Sequence, residues 1–582
     1  MKEKNANNTG LMLVVAFALL VSSFLYLQFI IPYHIFFKEQ IQLFVYDSNY
    51  LLSYFSKPGE LACLTGDFFT QFLYLKGGGA VVISLLFFFE WLLIVRLLNS
   101  FGVKQLASLW ALLPVIAEWM IIGAINYSIA MSVAFALVLL IIYLYIHIQN
   151  KVISVGLGIL FIPILYLFIG GAMFLFLAVV LLYEIHKEKK RYVYWLTLIA
   201  LAVIIPYLLR IHYLITVKQA YFYPMQGIKQ VGSSILVVLI LFFASFKSIR
   251  KWRVTAFSFS LAVLFILVFG IVGLKLSTNL QREKILGMAT EADFENWNKV
   301  LKMAEKSEIK NPIATYYTNL ALSKQMQLGD RMMEFYQPFT SGLFLPVNPK
   351  SNWFITFFSS DVYYHIGDMN MAQHSAMLGM TFSPYQRSAR LVQRLIEINL
   401  VSEDIPAAMK YIRMLESSLF HREKAVQLKE MALTTNPDNY PWLQNKRKQI
   451  HTSDILLSSR IPQTTLELLV KTNPDNREAL DYLLAYHLMN KNIQGFFNVY
   501  STYCKGKTNY LPKVYAEALL IYFASSKTQP EEISKYNVNP LIINDFTEYT
   551  QLYESTKGNL ELLQEKFPHT YWLFYHFATI KT

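Results

Sequence analysis

Leu11–Ile31 reads LMLVVAFALLVSSFLYLQFII, and the reading of this run decides the fold. It holds no Asp, Glu, Lys or Arg. As a helix it is long enough to cross the roughly 30 Å of a bilayer's hydrocarbon. A soluble core cannot cover such a helix on every side. Met1-Lys2-Glu3-Lys4 precedes the run, which is longer than the apolar core of a signal peptide and has no small-x-small cleavage site. It is therefore expected to be a retained signal anchor.

Similar runs follow as far as Leu274. Nine candidate spans fall at roughly 11–31, 80–98, 106–125, 128–147, 153–169, 170–184, 193–209, 233–246 and 255–274. The fifth and sixth are nearly continuous, parted by Gly170-Gly171. Joining them would give eight spans and reverse the end of the chain. Cytoplasmic loops are rich in Lys and Arg. With nine spans, Lys2 and Lys4, Arg96 and Lys104, Lys151, Lys187 to Arg191, and Lys247 to Arg253 all fall on one side. The charge pattern thus predicts nine spans, a cytoplasmic N-terminus and an external C-terminal half.

Over the 582 residues 54% are hydrophobic and 16% charged, but these averages merge an apolar region, 1–274, with a mixed polar one, 275–582. The net charge of +13 would suggest a nucleic-acid partner in a soluble protein. Here much of the excess sits in short loops between apolar runs. No zinc-finger spacing or Gly-rich phosphate loop accompanies it, so nucleic acid is not an expected partner. Two cysteines far apart, Cys63 and Cys504, exclude a disulfide framework.

The polar region shows a weak repeat. Asn436-Pro437-Asp438-Asn439 returns as Asn473-Pro474-Asp475-Asn476, 37 residues later. Asn before Pro suits a helix start, with Asn capping the free amides and Pro in the first turn. Gly329-Asp330, Gly367-Asp368 and Glu403-Asp404 mark further turns at steps of 36–38 residues. This is the helix-turn-helix pattern of tetratricopeptide (TPR) repeats, slightly lengthened. The expected fold is all-α: a polytopic helical membrane domain, 1–274, followed by a TPR-like domain of stacked hairpins, 275–582.

Candidate chemistry concentrates in the first external loop, 32–79, which is amphipathic and aromatic. It is expected to lie along the outer membrane boundary as short interfacial helices. Asp47, Glu60 and Asp67 sit within it, and Asp67 and Gln71, four apart, share one helix face. A carboxylate there can act as a base on an incoming hydroxyl, or hold a divalent cation, Mg or Mn, against a phosphate, a role assigned to Asp47. Asp47-Ser48-Asn49 is equally good helix-cap chemistry. Two acids fall inside spans, where a charge is costly. Glu118 is the candidate catalytic group, and Glu90 is read as pairing with Arg96. Arg210, with His212 and Tyr213, opens the second external loop, where Arg can grip a lipid-linked phosphate or merely anchor the helix.

Pro58, Asp67-Phe68-Phe69-Thr70-Gln71-Phe72, Asp361-Val362-Tyr363-Tyr364-His365-Ile366-Gly367 and Ala372-Gln373-His374 together resemble an uncharacterised membrane-protein family of the Bacteroides group. The resemblance covers most of the chain and implies a Gram-negative inner membrane, without an activity. The architecture also resembles that of GT-C glycosyltransferases, which place an acidic residue in a first external loop. Eukaryotic transmembrane O-mannosyltransferases join such a membrane half to TPR repeats. Tyr46-Asp47 stands where those families have a catalytic acid, although Asp47 is followed by Ser rather than by a second acid. The GT-C resemblance implies a polyprenyl-phosphate-linked sugar as donor, with Arg210 on its phosphate. The competing expectation is a membrane-anchored TPR-like scaffold binding envelope proteins.

Overall fold

The computed structural model describes residues 2–187, 189, 191–225, 228–246, 254–306, 309–347, 352–434, 439–451, 462–507 and 510–579. Lys190, the basic cluster Lys247 to Arg253 and the turn residues Asn436-Pro437-Asp438 lie outside them. Among the described residues all regular structure is helical, and none is strand. The chain forms two compact units. The first comprises Met1–Glu283 together with Ser417–Arg422; the second comprises Lys284–Glu416 and Glu423–Thr582.

The first unit contains α1 (Lys2–Phe29), α2 (Pro32–Gln40), α3 (Ser48–Ser53), α4 (Glu60–Thr70), α5 (Gly78–Ser100), α6 (Ala107–Trp110), α7 (Leu112–Ile122), α8 (Ile129–Ile146), α9 (Lys151–Ile169), α10 (Met173–His186), α11 (Tyr192–His212), α12 (Val217–Phe222), α13 (Gly232–Ala244) and α14 (Ala256–Ser277). Local chemistry sets many of these starts. Ser128 caps α8 by accepting from the Ala130 amide, Asn150 caps α9 through Val152 and Ile153, and Thr255 opens α14 with a capping box.

All nine apolar stretches are helical, but they are not equal. Six helices among the described residues are long and apolar enough to cross a membrane: Thr9–Phe29, Gly78–Ser100, Ile129–Ile146, Lys151–His186, Tyr192–His212 and Ala256–Ser277. Ala107–Ile122 and Gly232–Ala244 are apolar but shorter. Lys151–His186 would be about 54 Å long if straight, well beyond a single crossing. It breaks at a 3-10 turn, Gly170–Ala172, where Gly170 has φ +61°. Glycine alone fits there, because a Cβ would collide with the Tyr223 carbonyl. The interior is a dense apolar cluster around Phe87, Trp91, Val115, Val138, Leu139, Phe176 and Val179. α8 lies deep in it, whereas α11 and α14 display Val193, Leu196, Val203, Phe257, Leu261 and Phe265 outward. Apolar faces of that kind suit contact with lipid.

The second unit is built from helices that pack on their sequence neighbours. Trp297–Glu305 packs on Pro312–Lys324, Ser360–Ile366 on Met369–Phe382, Ala389–Val401 on Ile405–Glu416, and Pro462–Thr472 on Arg477–Met489. Gly367, at φ +99°, ends one helix and Asp368 caps the next through the Met371 amide. Glu403 is left-handed at φ +63°, and Asp404 accepts from the Ala407 amide. Two expectations need correction. Asn473-Pro474 does not start a helix: Asn476 is the cap, accepting from Ala479, while Asn473 ties the turn through Asp475. Gly329-Asp330 lies within the short helix Leu328–Arg331, and Asp330 accepts from the Tyr510 hydroxyl and the Lys513 amide.

Asp361, in the second resemblance motif, accepts from Tyr317 at 2.6 Å and from Arg390 at 2.7 Å, with Arg394 at 3.4 Å. Val362, Tyr363, Tyr364 and Ile366 are core residues beside it. The motif is a fold determinant of this unit.

Candidate functional site

The loop between α1 and α5 is folded into short helices, α2, α3 and α4. The N-terminus of α2 is closed by Glu283, whose carboxylate accepts from the Tyr33 and His34 amides at 2.7 and 3.0 Å and bonds the His34 ring. α4 packs against α8 and α9. Gly66 permits this, since a Cβ there would collide with the Ala130 backbone. α4 turns its Ala62, Gly66, Asp67 and Thr70 face into the unit.

That burial brings Asp67 into a cleft lined by Glu39, Gln42, Thr70, Gln71, Ser418 and His421. Asp67 accepts a 2.7 Å hydrogen bond from Tyr54, whose oxygen is 2.6 Å from that of Tyr50. Burial pushes the Asp67 carboxyl up to about 7, against the opposing pull of the hydrogen bond from Tyr54. Gln71 donates to the Tyr46 hydroxyl at 3.1 Å and to the Phe68 carbonyl at 2.9 Å. On the facing wall, His421 Nε2 meets Glu39 Oε1 at 2.6 Å. Burial pulls the imidazole down, but the Glu39 carboxylate outweighs it and holds His421 above its ordinary value. The cleft thus holds a carboxyl poised near neutrality opposite an imidazole that favours its charged form.

The other expected residues occupy separate settings. Asp47 caps α3, accepting from the Tyr50 amide at 3.2 Å, and is exposed. Among the described residues no group of three or more His, Cys, Asp or Glu is placed to hold a metal ion, so the ligand role expected of Asp47 has no such group around it. Glu60, in the first turn of α4, accepts from the Tyr213 hydroxyl at 3.4 Å; burial raises its carboxyl and that bond opposes the rise. His212 is exposed, its ring against Tyr213. The Arg210 guanidinium lies 4.5 Å from the Tyr207 ring centre, on its own helix. Glu118 accepts from Tyr127 at 2.7 Å. The expected Glu90–Arg96 pair does not form: Glu90 meets Glu118, and Arg96 lies over the Tyr143 ring at 5.5 Å.

Asp67 and Gln71 were legible in the sequence; Glu39, Gln42 and His421 were not. Lys38-Glu39-Gln40 reads as the wet face of an amphipathic helix, yet all three are buried. Nothing local marks His421, 382 residues from its partner.

The fold and cleft define a helical protein with several helices able to cross a membrane and a second, helical unit. Residues 7–578 match the family of unknown function DUF6057, and the chain belongs to that family. No curated protein and no solved structure matches it.

Proposed function

We propose that this chain is a GT-C-like glycosyltransferase that uses a polyprenyl-phosphate-linked sugar at the periplasmic face of a Bacteroides-type inner membrane. Nine spans, a cytoplasmic N-terminus and a TPR-like second unit complete the reading. The observation that carries it is the buried Asp67 carboxyl, poised near pH 7 beside Gln71 and opposite the Glu39–His421 pair. A base is most effective when its pKa lies near the working pH. Asp67 takes the proton of the acceptor hydroxyl in place of Asp47, Gln71 and Tyr46 orient that hydroxyl, and the His421 imidazolium offers positive charge to the departing phosphate. A divalent cation, Mg or Mn, would supply further charge at that phosphate if the substrate's own phosphate oxygens furnished most of its ligands.

The competing reading is a membrane-anchored TPR-like scaffold for envelope proteins. It is favoured by the tightness of the cleft, whose free volume is about 10 Å³, roughly that of a single water probe. Complementation of a deletion strain separates the two. Glycan profiles of envelope proteins and polysaccharides are compared for wild type, Asp67→Asn and His421→Gln at matched protein levels. The transferase reading expects a glycan lost on deletion and not restored by Asp67→Asn, since loss of a general base costs about 10²–10⁴-fold. Full restoration by both variants overturns it in favour of the scaffold.

A further inference from the structure

Helices α5 and α7 pack together inside the first unit. Each carries one acid, Glu90 and Glu118, and both are fully buried. Their carboxyls lie close enough to interact with each other. Tyr127 donates to one Glu118 oxygen at 2.7 Å and lies 3.2 Å from the Ser132 hydroxyl. The other Glu118 oxygen and both Glu90 oxygens receive no hydrogen bond from a protein N–H or O–H. Two carboxyl groups meet, therefore, at a contact that only an added hydrogen can close.

Among the described residues no ion pair is formed by either acid. Arg96 lies over Tyr143. The apolar stretch of α1 (Thr9–Phe29), α8 and α13 hold no acidic or basic residue, and α14 holds only the exposed Lys275. Lys38 of α2 donates to the Tyr127 carbonyl at 2.6 Å and the Ala124 carbonyl at 2.9 Å rather than to either acid. Two unit charges about 4 Å apart repel by about 4 kcal/mol even at an effective dielectric constant near 20. Desolvation adds several kcal/mol for each ion. The doubly ionised pair is thus excluded at neutral pH.

We propose that Glu90 and Glu118 form a proton-binding site within the apolar bundle, holding a proton between their carboxyls and exchanging it with the outside medium past Tyr127 and Lys38. Binding joins one proton to the singly ionised pair, changing its charge from −1 to 0, and release returns that proton to water. Tyr127 connects the pair to Lys38: its hydroxyl holds Glu118 and its carbonyl holds the Lys38 ammonium. Lys38 is itself buried, and burial pulls its ammonium down to about 7, so it gives up a proton in the physiological range. The site is independent of the Asp67 cleft.

Infrared spectroscopy of the full chain in lipid, in an Asp67→Asn background, tests this without relying on reagent access. The expected result at pH 7 is a protonated-carboxylic-acid C=O band that shifts in deuterated water, declines as pH is raised to 10, and recovers on return to pH 7. The Glu90→Gln/Glu118→Gln double variant should lack it. Spectra of parent and double variant that overlay in this region would overturn the proposal. A band unchanged between pH 5 and 10 would overturn the exchange. The single variants Glu90→Gln and Glu118→Gln, read as difference spectra against the parent, decide the matter where the double variant folds poorly, because the buried Asp481 and Glu517 carboxyls are also raised to about 7 and contribute to the parent's band.

Discussion

Replacing Asp67 with Asn removes a titration while keeping the side chain's shape and its ability to accept from Tyr54. In the folded chain the Asp67 carboxyl titrates at about 7, against 3.8 for the free group. The folded state thus holds this proton more tightly than the unfolded state. Stability falls as pH rises from about 4 towards 7, then levels off. The shift of about 3 units corresponds to about 4 kcal/mol. Asn cannot ionise, so Asp67→Asn escapes the loss: near wild type at pH 4.5, more stable by about 4 kcal/mol at pH 8. His421 slopes in the same direction. An imidazole raised by Glu39 contributes stability below about 6.5 that disappears as pH climbs through its folded value. The His421 share of the slope remaining in Asp67→Asn should therefore be lost when Glu39→Gln is added. Intrinsic tryptophan fluorescence of detergent-solubilised chains, melted between pH 4.5 and 8.5, reads the difference as a Tm gap that widens from about pH 4.5 to 7 and reaches on the order of 8 °C. Parallel Tm–pH curves for wild type and Asp67→Asn would refute the buried, proton-holding carboxyl, and with it the base proposed for catalysis.

Gly66→Val should prevent α4 from seating on α8, because its side chain meets the Ala130 backbone; overpacking of this kind costs about 1–3 kcal/mol, measurable as a lower Tm or reduced membrane yield. Asp361→Ala should cost about 3–5 kcal/mol by leaving Arg390 buried without its 2.7 Å partner, seen in the melt of the full chain. Glu283→Gln should cost about 1 kcal/mol by weakening the charge at the start of α2, read as a lower Tm that persists at high salt because Glu283 is buried. A reporter fused after Thr582 should be active only on the periplasmic side; activity confined to the cytoplasm would contradict the nine-span topology.

What could be read in advance was whatever a short window contains. The apolar runs are local facts, and each became a helix. Gly170-Gly171 announced a break because two adjacent glycines weaken a helix wherever they stand. α4 was legible as a helix, but its depth was not, since that depends on Gly66 meeting Ala130. Glu90 shows the same limit: Arg96 is near it along the chain, but the partner is Glu118 on another helix. Asn473 and Asn476 are both good caps by composition, and the turn geometry at Pro474-Asp475 chose the second. The cleft divided similarly: Asp67 and Gln71 followed from helical spacing, while Glu39 and His421 met through tertiary structure that no motif encodes.

The membership of Ser417–Arg422 in the first unit has a consequence for how this protein is made. A ribosome finishes the apolar helices long before it reaches this hexapeptide, so the first unit must wait, incomplete, through the synthesis of more than a hundred residues of the second. Until then Glu39 has no imidazole to face. The two units cannot be exchanged as cassettes: a cut after Glu283 yields a membrane piece lacking a wall of its own cleft, and a graft of another helical array would have to bring this short segment with it.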